Sequence, residues 1–283
     1  MQQKQFLPQH ALITGATSGL GLYLMKALYK KGYVVSIICR NSDKTRQILR
    51  RYRLDKVRPY IADLTNLTSV KAVTEQLRQQ ELPIDLIINN AGCLTTGYKV
   101  SGEGWEYSMA INYFAPFVLV NNLKPLLDRS PKPLIVNVNS SGHAGQQIQL
   151  DHLNEYSGYQ AYAVSKLANT LFTIELAAKL GEKMTSIAFD PGPMSTGFGG
   201  NLPWWFKQFM QILKPLLPAP RSVAQDLLRI LKSEKDNLSN GGYYNRSGLS
   251  TYRISAVELS KKEALWQTTT NLLKDYLLVG ASK

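Results

Sequence analysis

Tyr162 and Lys166 stand four residues apart in the stretch Ala161–Tyr162–Ala163–Val164–Ser165–Lys166. Four residues make about one helical turn, so on a helix the two side chains share a face. Leu167, Ala168, Leu171, Ile174 and Leu176 follow at roughly helical spacing, and a helix is expected there. A phenol normally releases its proton near pH ~10. An ammonium beside it favours the phenolate and pulls that value down. A tyrosine tuned in this way exchanges a proton near neutrality, which the interconversion of an alcohol and a carbonyl requires. A Tyr–Lys pair also arises on helices by chance, so the elements that position it decide its meaning.

The first of those elements is the apolar run Ala11–Leu12–Ile13–Thr14, which reads as a buried strand ending at Gly15. Gly15–Ala16–Thr17–Ser18–Gly19–Leu20–Gly21 follows, and then a helical pattern through Leu24, Ala27 and Leu28. Strand, glycine turn and helix place backbone N–H groups at a helix N-terminus, where phosphate binds well. Three glycines alone are a weak signal; the strand before them and the helix after them strengthen it.

Tyr33 to Cys39 reads as the second strand, with Arg40–Asn41 directly after it. In a dinucleotide site this strand end faces the adenosine ribose. An acid there binds the 2′-hydroxyl of NAD, and an arginine accommodates the 2′-phosphate of NADP. Arg40, with Lys44 and Arg46 nearby, favours NADP; the alternative is a solvated surface charge. Val57 to Ala62 is the third strand, ending in Asp63–Leu64. Asp63 either accepts from an adenine amino group or caps the next helix. Asp85 to Ile88 is the fourth strand, followed by Asn89–Asn90–Ala91–Gly92, which suits a tight pass beside a flat ring or an ordinary turn.

Trp105 to Leu127 reads as a long helix, kinked or broken at Pro116. Asn112 within it must find partners, as a structural amide or as a polar group holding water in a site. Leu134 to Val138 is the fifth strand, closed by Asn139–Ser140–Ser141–Gly142. A serine there hydrogen-bonds a substrate oxygen or caps a turn. Thr185 to Phe189 is a sixth strand, ending in Asp190–Pro191–Gly192–Pro193–Met194–Ser195–Thr196, and Tyr243–Tyr244 is a short last one. Strands alternating with helices imply an α/β fold: a Rossmann-like, doubly wound, mainly parallel seven-stranded sheet with helices on both faces. Ligands in such folds bind beyond the carboxyl ends of the strands, where all these motifs fall. No composition shift divides residues 1–283, so one domain is expected.

The net charge of +13 suits phosphate ligands, nucleic acid or an anionic membrane, or it solubilises the surface. Nothing beyond charge supports nucleic acid, and no such partner is expected. Cys39 and Cys93 are too few for a disulfide framework. Met1 to Gln9 leave no room for a signal peptide, and no apolar stretch reaches transmembrane length. A cytoplasmic protein is expected. No metal ligand set is assigned.

As an ordered set these residues resemble the short-chain dehydrogenase/reductase family over nearly the whole chain. The resemblance implies that Tyr162 is the acid/base and that Lys166 tunes it and binds the nicotinamide ribose. It implies that Ser141 positions the substrate carbonyl and that Asn112 holds a water in the proton relay. Gly15, Thr17, Ser18, Gly19, Leu20 and Gly21 would cradle the pyrophosphate, and Arg40 and Asn41 would meet the 2′-phosphate. Asp63–Leu64 would contact the adenine, and Asn90, with Ala91 and Gly92, would lie near the adenosine ribose. Pro191, Gly192 and Thr196 would meet the nicotinamide, Thr196 at its carboxamide.

Ser–Ser–Gly–His, Asp151–His152–Leu153–Asn154, the text around Tyr162 and Cys39–Arg40–Asn41 are similar to the retinol-dehydrogenase-like branch. That branch mostly uses NADP(H) on lipophilic aldehydes, ketones or alcohols. Its membrane-bound members carry an N-terminal anchor, which this chain does not show. Homo-oligomers are common in the family. The segment around residues 197–222 would cover the substrate. On a helical wheel at ~100° per residue, Trp205, Phe206, Phe209, Met210, Ile212, Leu213 and Leu216 fall on one side, with Lys207 and Lys214 on the other. That pattern suits a helix packed on the body, or a lid that also touches a membrane peripherally.

His143 reads as a packing residue and Cys93 as an inert one. A second reading is a catalytically silent NADP-binding regulator of the same fold; the intact set Asn112, Ser141, Tyr162 and Lys166 argues against it. A nucleotide-sugar epimerase shares the Tyr–Lys pair, but its glycines are usually spaced two then two, whereas Gly15, Gly19 and Gly21 are spaced three then one.

Overall fold

A computed structural model describes residues 9–194, 217–233, 237–251 and 254–278. Strands β1 (His10–Thr14), β2 (Val34–Cys39), β3 (Arg58–Ile61), β4 (Leu86–Asn89), β5 (Leu134–Val138), β6 (Thr185–Phe189), β7 (Tyr243–Asn245) and β8 (Gly248–Ser250) form one sheet. Their order is β3-β2-β1-β4-β5-β6-β7-β8. The first seven pair in parallel, and β8 turns back antiparallel on β7. The sheet therefore has eight strands where seven are expected. The extra one is three residues long and begins at Gly248, too short to leave a periodic signal.

Helices α1 (Gly19–Lys30), α2 (Ser42–Arg51), α3 (Leu67–Gln79), α4 (Tyr107–Met109), α5 (Ala115–Leu127), α6 (Gly158–Leu180) and α7 (Pro220–Ser233) connect the strands, and α8 (Ala256–Ser260) and α9 (Lys262–Leu272) follow β8. Alternation along the strands feeds two cores. Leu12, Ile38, Ile87 and Ile135 face Tyr113, Phe117, Leu171 and Phe172 on one side of the sheet. Ala11, Ile13, Val35 and Ile88 face Leu24, Leu28, Val223 and Leu227 on the other. Successive residues thus serve opposite layers, as a sheet covered on both faces requires. Pro59 lies in β3, where its missing N–H is tolerated because β3 is an edge strand.

The part of the segment around 197–222 that begins at Pro220 is helix α7, whose Val223 and Leu227 are buried in the second core. Residues 195–216, which hold Thr196 and the expected amphipathic helix, lie outside the described residues. Among the described residues no helix is long and apolar enough to cross a membrane.

Candidate active site

The glycine turn joins β1 to α1 at the point where the strand order reverses. Gly15 has φ +69°, a conformation that costs glycine little and other residues more. A Cβ on Gly21 would sit 2.5 Å from Asn90 Nδ2 and 2.6 Å from the Gly15 carbonyl, so only glycine fits. The Asn90 amide donates to the carbonyls of Thr14 (2.9 Å) and Gly15 (3.3 Å). The Thr14 hydroxyl accepts from the backbone N–H groups of Asn90 and Ala91, both at 3.0 Å. The loop after β4 is thereby tied to the loop after β1, with Gly92 continuing the strap toward Cys93.

Helix α2 is capped by Asn41 and α3 by Asn66. Ser18 makes no such bond to α1, and the first turn of α1 carries no acid. The N–H groups around Gly19, Leu20 and Gly21 therefore carry no side-chain cap, with exposed Ser18 and half-buried Thr17 beside them. That donor set and the glycine-only clearance fit a dinucleotide pyrophosphate.

At the same end of the sheet, Tyr162 and Lys166 project from α6. The Lys166 ammonium lies 5.9 Å from the Tyr162 ring centroid and donates to the Val138 carbonyl at 2.9 Å. Burial lowers the pKa of Lys166 to about 8. Burial also pushes the Tyr162 phenol up to about 12, while its hydrogen bond to the Ser140 side chain pulls the other way. The phenol is thus raised, where the sequence alone suggests it is lowered. Taking the phenolate out of water outweighs the Ser140 hydrogen bond.

The serine at Tyr162 is Ser140. Ser140 ends the extended run, with φ −160° and ψ 140°, and its hydroxyl bonds Tyr162 and accepts from Gly142 N–H at 3.2 Å. Ser141 opens the following turn, is exposed, and donates its backbone N–H to Asp190 Oδ2 at 2.8 Å. Adjacent residues on an extended strand point to opposite sides, which separates the two serines. His143 is buried, within 2.7 Å of the Ser140 carbonyl and edge-on to Tyr243.

Asn112 sits in a π-helical turn, Ala110–Phe114, between α4 and α5. Such turns recur at functional sites. Its side-chain oxygen accepts from Cys93 N–H at 2.9 Å, and its amide donates to the Cys93 carbonyl (3.0 Å) and to Ser165 Oγ (2.9 Å). Ser165 Oγ in turn donates to the Tyr162 carbonyl at 2.6 Å. Asn112 therefore links the loop after β4 to the turn that carries Tyr162. Pro116, four residues on, has no N–H for the Asn112 carbonyl. That carbonyl accepts from Asn169 Nδ2 at 2.6 Å instead. The expected break at Pro116 thus falls one turn earlier, as the π turn. The Cys93 thiol, raised to about 12 mainly by burial, stays protonated at neutral pH.

A chain of buried amides and hydroxyls fixes α6 to the sheet. Asn89 donates to Asn137 (2.8 Å), Asn137 to Thr173 (3.0 Å) and Asn139 to Thr170 (2.6 Å). None of these bonds is visible in sequence, because their partners lie on different elements.

Arg40 directly follows β2 and is exposed, and its Nη1 donates to the Tyr107 hydroxyl at 3.2 Å. The Asn41 side chain is spent on its cap, accepting from Lys44 N–H at 2.8 Å. Asp63 Oδ1 accepts from the Thr65 N–H and hydroxyl, Leu64 is half-buried beside it, and Asn66 rather than Asp63 caps α3. Pro191 and Gly192 follow β6, where Gly192 N–H donates to Asp190 Oδ1 at 2.8 Å.

A doubly wound sheet beginning 3-2-1-4-5-6, with a glycine turn at its switch point, defines the Rossmann class of dinucleotide-binding proteins. Residues 9–205 match the family model described as short chain dehydrogenase. Human polyprenol dehydrogenase is 31% identical over 73% of this chain and 67% of its own length. Mouse retinol dehydrogenase 11 is 29% identical over 93% of this chain and 85% of its own. A solved structure from Mycobacterium paratuberculosis, of an uncharacterised protein, covers 95% of this chain and 96% of its own, at 26% identity and a TM-score of 0.70. A short chain dehydrogenase from Shigella flexneri, complexed with NADP, aligns at a TM-score of 0.67 over 87% of this chain and 100% of its own, with 21% identity, and so speaks for the fold. The chain belongs to the short-chain dehydrogenase/reductase family, in its retinol-dehydrogenase-like branch. It is an oxidoreductase of alcohols and carbonyls that uses a nicotinamide cofactor.

Proposed function

We propose that the protein is an NADP(H)-dependent oxidoreductase of lipophilic aldehydes, ketones or alcohols, with Ser140, Tyr162 and Lys166 as its catalytic residues. The observation that carries this is the hydroxyl pair Ser140–Tyr162, backed by the Lys166 ammonium, on the sheet end that bears the glycine turn. The nicotinamide, when bound, supplies or accepts the hydride. Burial keeps Tyr162 neutral at physiological pH, so in reduction its hydroxyl gives a proton to the carbonyl oxygen. The Ser140 hydroxyl donates to the same oxygen and orients it. In oxidation Tyr162, as phenolate, takes the alcohol proton. Lys166 presents a cation to the nicotinamide ribose, and Asn112 holds the turn carrying Tyr162 in register.

Gly15 through Gly21 would hold the pyrophosphate, Arg40 the 2′-phosphate, Asp63–Leu64 the adenine, and Pro191, Gly192 and Thr196 the nicotinamide. Arg40 supports NADP(H) over NAD(H), because no acid stands at the end of β2. Asn90 braces the glycine turn beside the adenosine ribose. Relatives named for polyprenol and retinol, both lipophilic alcohols, support the substrate class. A cytoplasmic setting with peripheral membrane contact and a homo-oligomeric state complete the reading.

The test is turnover of NADPH and NADH with aldehydes and ketones of graded chain length. Tyr162→Phe should lower kcat by at least about a hundredfold while NADPH binding stays within a few-fold. Near-normal turnover in that variant would refute the mechanism.

A further inference from the structure

Asp190, the residue that follows β6, is buried. Its Oδ2 accepts from Ser141 N–H at 2.8 Å and from the Tyr243 hydroxyl at 3.1 Å. Its Oδ1 accepts from Gly192 N–H at 2.8 Å. One carboxylate thus spans the serine turn after β5, the loop after β6 and strand β7. Ser141 N–H is thereby held next to Ser140, whose hydroxyl bonds Tyr162.

We infer that Asp190 is a positioning residue of the catalytic centre, locking the Ser140 hydroxyl and the Pro191–Gly192 loop into one frame and facing the Lys166 ammonium with a negative charge. This rests on the catalytic reading of Ser140, Tyr162 and Lys166 given above. Charge and geometry act together. Facing Asp190 are Lys166 and Tyr162 from α6 and Tyr243 from β7, with the His143 ring packed on Tyr243. Facing Lys166 are Asp190, Tyr162 on its own helix, and Cys93 from the loop after β4. Cys93 and then Asp190 oppose the effect of burial on the lysine, and of the two Asp190 is the carboxylate. Asparagine has the same shape but offers one acceptor oxygen and an amide that only donates. Asp190→Asn therefore loses the charge and at least one of the three bonds.

The experiment compares Asp190→Asn, Asp190→Glu and Tyr243→Phe with the unmodified chain. It reads kcat and KM for a carbonyl substrate with NADPH, the melting temperature, and the Lys166 titration midpoint. That midpoint comes from NMR of lysine side chains in the protein without cofactor, assigned through Lys166→Arg. Asp190→Asn should lower kcat by about ten- to hundredfold, change KM less, and move the Lys166 midpoint down by roughly half a unit or more. Asp190→Glu keeps the charge and displaces the oxygens, so kcat should fall with the midpoint unmoved. Tyr243→Phe removes one of the three bonds and should leave the midpoint in place.

An unchanged Lys166 midpoint in Asp190→Asn, with melting temperature and kcat falling together, would show an ordinary structural tie and overturn the inference. Should Asp190→Asn fail to fold, unimpaired kcat in Asp190→Glu would overturn it equally. A chain that turns over no carbonyl would instead defeat the oxidoreductase reading, and the Lys166 midpoint would still decide the part played by Asp190.

Discussion

The side-chain amide of Asn169 donates to the backbone carbonyl of Asn112 at 2.6 Å, in place of the helical bond that Pro116 cannot make. Helix α6 and the π turn before α5 are joined through this bond. Asn169→Leu leaves a buried carbonyl without that donor, which costs about 1–3 kcal/mol. The expected result is a lower urea midpoint with an unchanged denaturant slope. Turnover should fall as well, because the Asn112–Ser165 bond behind Tyr162 loses its support.

The two serines after β5 should separate cleanly in kinetics. Ser140→Ala removes the hydroxyl bonded to Tyr162, and kcat should fall by about ten- to hundredfold. Ser141→Ala keeps the backbone N–H that Asp190 accepts, and kcat should stay within about twofold. Steady-state rates of both variants, with the same carbonyl and NADPH, check the assignment; a loss confined to Ser141→Ala would reverse it.

The two directions of reaction should respond oppositely to pH. Oxidation needs the Tyr162 phenolate. With its pKa pushed up to about 12, the phenolate fraction rises about tenfold per pH unit through the neutral range. Reduction needs the neutral phenol, which is already the dominant form there. Lys166 is cationic below about 8 and loses that charge above it. Alcohol oxidation should therefore climb with pH and then bend over, while carbonyl reduction stays level and falls through about 8. Paired pH–rate profiles on one alcohol and its carbonyl measure this.

Cofactor preference should reside in Arg40. A charge-assisted contact with the 2′-phosphate contributes on the order of 1–3 kcal/mol, or roughly ten- to hundredfold in Kd. Arg40→Asp should erase or reverse the preference for NADPH over NADH in fluorescence titrations. Tyr107→Phe, which removes the hydroxyl that Arg40 meets at 3.2 Å, should have a smaller effect of the same sign. Equal Kd values for the two cofactors in the unmodified protein would contradict this.

The Tyr–Lys pair, the glycine turn and the alternation of strands were readable from residues alone, because each is a local pattern with its own period or spacing. The resemblance implies Ser141, whereas the structure puts the Ser140 hydroxyl on Tyr162. Neighbouring serines at a strand end differ only in which way the backbone turns, and the turn here meets Asp190 from 49 residues away. Asp190 itself carries no local signature, since its partners come from three elements. The short β8 escaped because pairing with β7, rather than any hydrophobic repeat, makes it a strand. The raised phenol depends on how deeply Tyr162 is buried, a quantity that sequence spacing does not contain.

Helix α6 is buried on nearly every side along its middle, from Ala161 to Thr173. A surface helix settles its rotation about its own axis by turning an apolar stripe inward. Buried all round, α6 has no such compass. Its azimuth is set by polar teeth: Ser165, Asn169, Thr170 and Thr173 engage Asn112, Asn139 and Asn137. Each tooth replaced by an apolar residue would orphan a buried partner and cost stability, and with the teeth gone Tyr162 would lose its bearing as well.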